Sequence, residues 1–228
     1  MRRLVVATQN RGKIREISTL LEGLGVEVLP IGRLAPGFDV DETGTTFLEN
    51  ARLKAQAAFA ATGLPSLADD SGLCVTGLGL EPGVRSSRYA GEGKSDAERV
   101  EFLLSRMAGI GGDGRRAYFS CTLYAILPGE LMAGSGEPSA PGTEGLRFES
   151  GPAGHAAVTV EGRLPGRIGF QPRGDKGFGY DPVFHPDHDP RRTLAEYGLD
   201  EKNLISHRGA AFRAFAAWLA QRLTRPRG

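Results

Sequence analysis

Asp69-Asp70-Ser71-Gly72 sets two carboxylates, a hydroxyl and a residue tolerant of positive φ between the apolar pairs Leu67-Ala68 and Leu73-Cys74. Acidic side chains are rarely enclosed by apolar sequence unless they are paired or bind something, and two hard oxygen donors suit a divalent cation. The same four residues also make a good turn. A further carboxylate, Glu42, lies in the acidic, turn-like stretch 39–46. Thr46 and Glu49 have capping-box spacing, so Glu49 has a structural use, whereas Glu42 precedes the helix in a loop and is free to reach a shared cation.

Three other stretches carry chemistry-bearing residues. Thr8-Gln9-Asn10-Arg11-Gly12-Lys13 lies between an apolar run and a helical pattern, where helix N-terminal amides, the positive end of the dipole and a lysine suit phosphate. It matches neither the P-loop nor the dinucleotide fingerprint, and a capped helix with an exposed lysine is the structural alternative. In Lys176-Gly177-Phe178-Gly179-Tyr180-Asp181-Pro182, glycines beside aromatics let a flat group approach the backbone while a ring offers a stacking face, and a packed aromatic corner explains the same residues. Ser206 is placed to cap a helix whose first turn holds His207 and Arg208, cations set against the dipole that call for an acceptor or for exposure. His185 and His188 are spaced like metal ligands, but no third His or Cys accompanies them.

The elements that must position these groups follow from periodicity. Leu4 to Ala7 form a buried strand, and Ile14, Ile17, Leu21 and Leu24 one helical face. The helix opened by Thr46 runs to Thr62 and is closed by Gly63, and it leaves Asn50 and Lys54 one turn apart. Residues 77–93 are glycine-rich and read as a long loop; Ser95 and Glu98 then repeat the capping box. Residues 118–127 and 156–160 read as strands, and residues 128–154, rich in Gly, Pro, Ser and Glu, as a flexible surface insertion. The last helical pattern, 200–223, places Leu204, Ile205, Ala211, Phe212, Phe215 and Leu219 on its apolar face.

With 228 residues and 40% hydrophobic composition, the chain can bury a core as one large α/β domain or two fused lobes. Its net charge of +1, from 28 basic and 27 acidic residues, makes no electrostatic case for nucleic acid or an anionic membrane. No stretch has the length of a membrane span, the first apolar run is too short for a signal peptide, and Cys74 and Cys121 read as reduced thiols of a cytoplasmic protein.

Taken together, A-T-x-N-x-x-K at 7–13, A-D-D-S-G-L at 68–73, P-G-V-x-S-x-R-Y-A-G at 82–91, G-F-G-Y-D-P at 177–182 and E-K-N-x-x-S-H-R at 201–208 resemble the non-canonical purine NTP pyrophosphatases, the dITP/XTP or inosine triphosphate pyrophosphatase family. The five motifs span the chain nearly end to end. The resemblance implies a single 1–228 domain of α/β class, with an elongated mixed sheet flanked by helices, two lobes, the active-site cleft between them, and a homodimer. It implies Mg²⁺-dependent hydrolysis of ITP, dITP or XTP to monophosphate and pyrophosphate. By the same resemblance, Thr8, Gln9, Asn10, Arg11, Gly12 and Lys13 hold phosphates, Lys54 faces them, Glu42 and Asp70 bind the metal, and Asp70 is the general base. Ser71, Phe178, Gly179, Tyr180, Asp181, Lys202, His207 and Arg208 then contact the nucleotide. The stretch 128–154 looks longer than the family's usual connection.

The chemistry of this reaction requires charge neutralisation on the leaving pyrophosphate, for which Lys13, Lys54 and Lys202 are the expected cations, and an oriented water. Donors from His207 and Arg208 suit a 6-oxo purine and disfavour the 6-amino group of adenine. Neighbouring carboxylates on a strand point to opposite faces, so Asp69 and Asp70 cannot both serve one cation without a local turn. Rival readings are a pyrophosphatase for modified pyrimidine or methylated nucleotides and a nucleotide-binding regulator without turnover; a nucleic-acid-binding module is the weakest.

Overall fold

The computed structural model describes residues 1–132 and 145–224. In chain order the elements are β1 (Arg3–Val6), α1 (Arg11–Leu20), β2 (Glu27–Pro30), α2 (Phe47–Thr62), β3 (Ser66–Val75), α3 (Asp96–Arg106), β4 (Arg116–Pro128), β5 (Arg147–Ser150), β6 (His155–Ile168), β7 (Phe184–Pro186), α4 (Leu199–Ile205) and α5 (His207–Thr224), with short 3₁₀ turns between several of them. The strands form a mixed sheet in the order β2-β1-β3-β4-β6-β5, with β7 on β6. β1 runs parallel to β2 and to β3, whereas β5 and β7 each run antiparallel to β6. This is the α/β class with a helix-flanked mixed sheet that the motifs imply.

The chain divides into two compact units. Unit 1 comprises residues 1–70, 122–161 and 209–228, and unit 2 residues 71–121 and 162–208. Three boundaries fall inside strands, between Asp70 and Ser71 in β3, Cys121 and Thr122 in β4, and Glu161 and Gly162 in β6, and the fourth falls in the first turn of α5, between Arg208 and Gly209.

Unit 1 has a core of Val5, Ala7, Ile31, Ala51, Ala55, Ala58, Ala68, Tyr124, Ile126 and Ala157. The small residues of α2 let the helix lie close on the sheet, so its polar Asn50 and Lys54 are buried with its alanines. α2 starts and stops as its sequence dictates. Thr46 and Glu49 satisfy each other's backbone N–H, and Gly63 takes the left-handed conformation at φ +64° that closes a helix cheaply only with glycine. Phe212, Phe215, Trp218 and Leu219 of α5 are fully buried in the same unit.

Unit 2 packs Leu73, Val75, Val100, Leu103, Met107, Phe119, Ile168, Tyr180, Val183 and Phe184 into its own core. Its helix α3 begins with the expected Ser95/Glu98 capping box. Residues 77–93 are more regular than a loop: Thr76–Leu78 and Gly83–Arg88 are 3₁₀ turns, and Ser86 Oγ accepts the Leu73 N–H at 2.9 Å while donating to Gly83 O at 2.6 Å.

The expectation for 128–154 is revised on both flanks. Gly129–Met132 form a 3₁₀ turn with Leu131 buried, and Arg147–Ser150 pair with β6 from Arg147↔Thr159 to Ser150↔Ala156. Phe148, which packs on Trp218 with ring centroids 5.5 Å apart, and Leu146 supply apolar contacts that composition alone conceals. Residues 133–144 lie outside the described residues. Leu204 corrects a second expectation: it is 69% exposed, because α4 ends at Ile205 and α5 starts on a new axis after extended Ser206. The strand expected at 156–160 extends to Ile168.

Candidate functional site

Unit 1 gathers the acids and lysines. β3 presents Asp69 and Asp70 to different lysines, as its alternation requires. Lys13, in the first turn of α1, places Nζ 3.0 Å from Asp69 Oδ2 and 3.4 Å from its backbone oxygen. Lys54 Nζ lies 2.8 Å from Asp70 Oδ1 and 2.8 Å from Glu42 Oε1. Asn50, one turn before Lys54, donates from Nδ2 to the other Asp70 oxygen at 3.3 Å. Two carboxylates from separate elements therefore converge on one cationic point, the Lys54 ammonium.

Burial sets the electrostatics here. It pushes the Asp70 carboxyl above its usual range, further than Lys54 and Lys13 pull it down. Burial alone would lower Lys54, yet Asp70, Asp69 and Glu42 together raise it above the ordinary lysine value, so this ammonium is a fixed charge at neutral pH.

The loop before α1 has divided duties. Asn10 Oδ1 caps the helix by accepting the Lys13 N–H at 3.1 Å, Thr8 Oγ1 accepts the Asn10 N–H at 3.2 Å, and Gln9 Nε2 donates to Phe38 O. Those side chains hold the loop's shape. Arg11 is exposed, Gly12 half-buried, and the α1 first turn contains no acid to oppose a bound anion.

Unit 2 gathers Phe178 and Tyr180 with the buried Lys202, His207 and Arg208. Gly177 and Gly179 have φ of +76° and +63°, and a Cβ on Gly177 would collide with Asp181 Oδ2. Asp181 Oδ2 instead accepts the Phe178 N–H at 2.9 Å and the Lys202 ammonium at 2.7 Å. Asp96 Oδ2, on α3, accepts the Gly179 N–H at 2.7 Å, and the Tyr180 hydroxyl donates to Ser86 O at 2.9 Å. Burial raises the Tyr180 phenol, which keeps it a donor at neutral pH. The Phe178 ring, half-buried, thus stands on a loop tied from both sides.

Around that ring stand two cations. Lys202 Nζ is 4.5 Å and Arg208 Cζ 5.6 Å from the Phe178 centroid. His207 stacks on Phe119 at 4.8 Å with an interplanar angle of 9°. His207 and Arg208 are both buried, so the polar first turn of α5 is enclosed rather than solvated. Ser71, the first residue of unit 2 along β3, is half-buried. Lys202, expected among the cations facing the leaving group, has its charge matched by Asp181 within unit 2.

Among the described residues, no group of three or more His, Cys, Asp or Glu is placed to hold a metal. His185 Nδ1 contacts Pro190 O, and His188 meets the Tyr197 ring edge-on. Glu42 and Asp70, which share the Lys54 ammonium, could serve as the two carboxylates of a magnesium-class ion, since such ions keep waters and take phosphate oxygens as further ligands.

The Ham1 family profile matches residues 4–218. The chain belongs to the Ham1 family. Its Ham1 relatives include proteins named dITP/XTP pyrophosphatase from Streptomyces coelicolor, 43% identical over 94% of this chain and 95% of the relative, and from Bacillus subtilis, 39% identical over 96% and 98%. A solved Ham1 structure from Coxiella burnetii superposes with a TM-score of 0.77 at 38% identity, covering 97% of this chain and all of that one. Within this Ham1 chain, the residue pattern assigned no role to Asn50, Asp96 or Ser86, although it placed Asn50 one turn from Lys54 and Ser86 in the 82–91 motif. Asn50 had the helical spacing to share a partner with Lys54, whereas the roles of Asp96 and Ser86 depend on contacts 83 and 94 residues away in sequence.

Proposed function

We propose that this chain hydrolyses non-canonical purine nucleoside triphosphates (ITP, dITP or XTP) to the monophosphate and pyrophosphate. The observation that carries the reading is the meeting of Glu42 and Asp70 at one cationic point, flanked by Lys13 and the α1 N-terminus. The names of the relatives and the five motifs supply the substrate class. One family match across both units supports treating 1–228 as a single catalytic domain.

Glu42 and Asp70 are the residues that would hold Mg²⁺, and their carboxylates already face a shared cation. When bound, that ion supplies charge neutralisation on the phosphates and makes a water easier to deprotonate. Asp70, its carboxyl raised by burial, takes a proton from the water whose oxygen bonds to the α-phosphorus; the bond from that phosphorus to the bridging oxygen breaks, and pyrophosphate leaves. Lys13, Lys54, Arg11 and the amides around Gly12 offset the leaving charge. Asp69 keeps Lys13 oriented and takes no proton. Phe178 stacks on the purine, Gly179, Tyr180, Asp181 and Lys202 hold that ring in place, and Ser71, His207 and Arg208 contact the nucleoside, where fixed donors favour a 6-oxo group.

We place the protein in the cytoplasm as a homodimer that binds neither nucleic acid nor membrane. Cys74 and Cys121 are buried and form no disulfide, and among the described residues no helix is long and apolar enough to cross a membrane. Sedimentation velocity tests the dimer. The test of function is incubation with ITP, XTP, GTP and ATP plus Mg²⁺, with products resolved. Monophosphate plus pyrophosphate from ITP and XTP, with ATP slower by two orders of magnitude or about that, is expected. Orthophosphate as product, or equal turnover of ATP, overturns the reading, and preference for modified pyrimidine or methylated nucleotides moves it to that class.

A further inference from the structure

Asn50 is fully buried on α2, and both ends of its amide are used. Nδ2 donates to Asp70 Oδ2 at 3.3 Å, while Oδ1 accepts the backbone N–H of Gly44 at 2.8 Å. Gly44 lies two residues after Glu42. The one side chain therefore ties the loop carrying Glu42 to the carboxylate of Asp70. Lys54, a turn later, takes the remaining Asp70 oxygen, so α2 fixes the plane of that carboxylate from both sides. The fit at Gly44 is tight: a Cβ there would stand 2.5 Å from Asn50 Oδ1 and 2.7 Å from Glu49 Cβ. Glycine is required at this point for close approach, since the neighbouring atoms include the amide oxygen that the backbone must reach.

We infer that Asn50 is a positioning residue that sets the spacing of Glu42 and Asp70 for cation binding and for attack on the α-phosphorus. The inference rests on the function proposed above and extends it. Asn50 touches neither water nor phosphate in this role; it acts through the two carboxylates, as groups behind metal ligands commonly do. Losing it loosens two ligands at once.

The test compares Asn50→Leu, which keeps the volume and removes both hydrogen bonds, with Gly44→Ala, which pushes on the amide from the other end. Ala58→Gly, buried on the same helix, is the control for destabilisation alone. Mn²⁺ affinity is measured without nucleotide by electron paramagnetic resonance, and kcat and KM are measured separately with ITP. Asn50→Leu and Gly44→Ala are expected to weaken Mn²⁺ binding and lower kcat by about 10- to 100-fold, with KM changed far less, while Ala58→Gly retains wild-type values at a lower Tm. Should Asn50→Leu not fold, Gly44→Ala decides. Wild-type Mn²⁺ affinity and kcat in either folded variant overturn the inference. If the wild type itself releases no pyrophosphate, the function has failed, and the Mn²⁺ titration still judges Asn50.

Discussion

Lys13 Nζ stands 3.0 Å from Asp69 Oδ2 and Lys54 Nζ 2.8 Å from Asp70 Oδ1, so the two acids of one dipeptide have separate partners drawn from separate helices. Charge pairing of this kind needs little from the acids' own sequence neighbourhood. It explains why a run of two carboxylates can be buried on a strand without either being left to repel the other. The Lys54 ammonium that pairs with Asp70 also pairs with Glu42, and on this the proposed role of Asp70 as base rests. Asp70→Asn keeps the shape and removes the proposed base. Pyrophosphate release from ITP is expected to fall by about 10²- to 10⁴-fold with the far-UV circular dichroism spectrum unchanged; near-normal release removes Asp70 as base.

At the level of elements, the loop 177–182 is held by α3 through Asp96 and by α4 through Lys202. The Lys202–Asp181 pair has both side chains 4% exposed. Lys202→Met leaves the Asp181 carboxylate buried without that ammonium and is expected to cost about 3–5 kcal/mol, read as a lower urea midpoint. Adding Asp181→Asn should recover part of the loss, and a double variant no more stable than the single one contradicts the pair's structural role. The sequence already carried the element boundaries on α2 and α3, because Thr46/Glu49 and Ser95/Glu98 are local rules read three residues apart. It carried the placement of Asn50 and Lys54 on one helical face for the same reason. It did not carry the Lys202–Asp181 and Lys13–Asp69 pairs, which join residues 21 and 56 positions apart and depend on packing. The strand at 147–150 was hidden because its stability comes from pairing with β6 rather than from its own four exposed residues.

For the whole molecule, the telling feature is that unit boundaries fall inside β3, β4 and β6 rather than in linkers. No flexible segment separates the units at any of these crossings, which favours a single cooperative transition. The chain has one tryptophan, Trp218, buried in unit 1, so its fluorescence follows that unit, while far-UV circular dichroism follows both. Coincident urea midpoints from the two probes are expected; separated midpoints mean the units unfold independently. The pairing of β3 with β1 has a further consequence. Val5 opposite Ser66 and Val6 opposite Leu67 set the frame from which the following acids are counted. Were that frame to slip by one position, odd and even residues would trade faces: Asp69 would arrive where Lys54 and Glu42 wait, Asp70 would move on to the place of Ser71, and Ala68 would stand opposite Lys13. Backbone pairing at an apolar dipeptide thus decides which of two identical side chains meets Lys54 and Glu42.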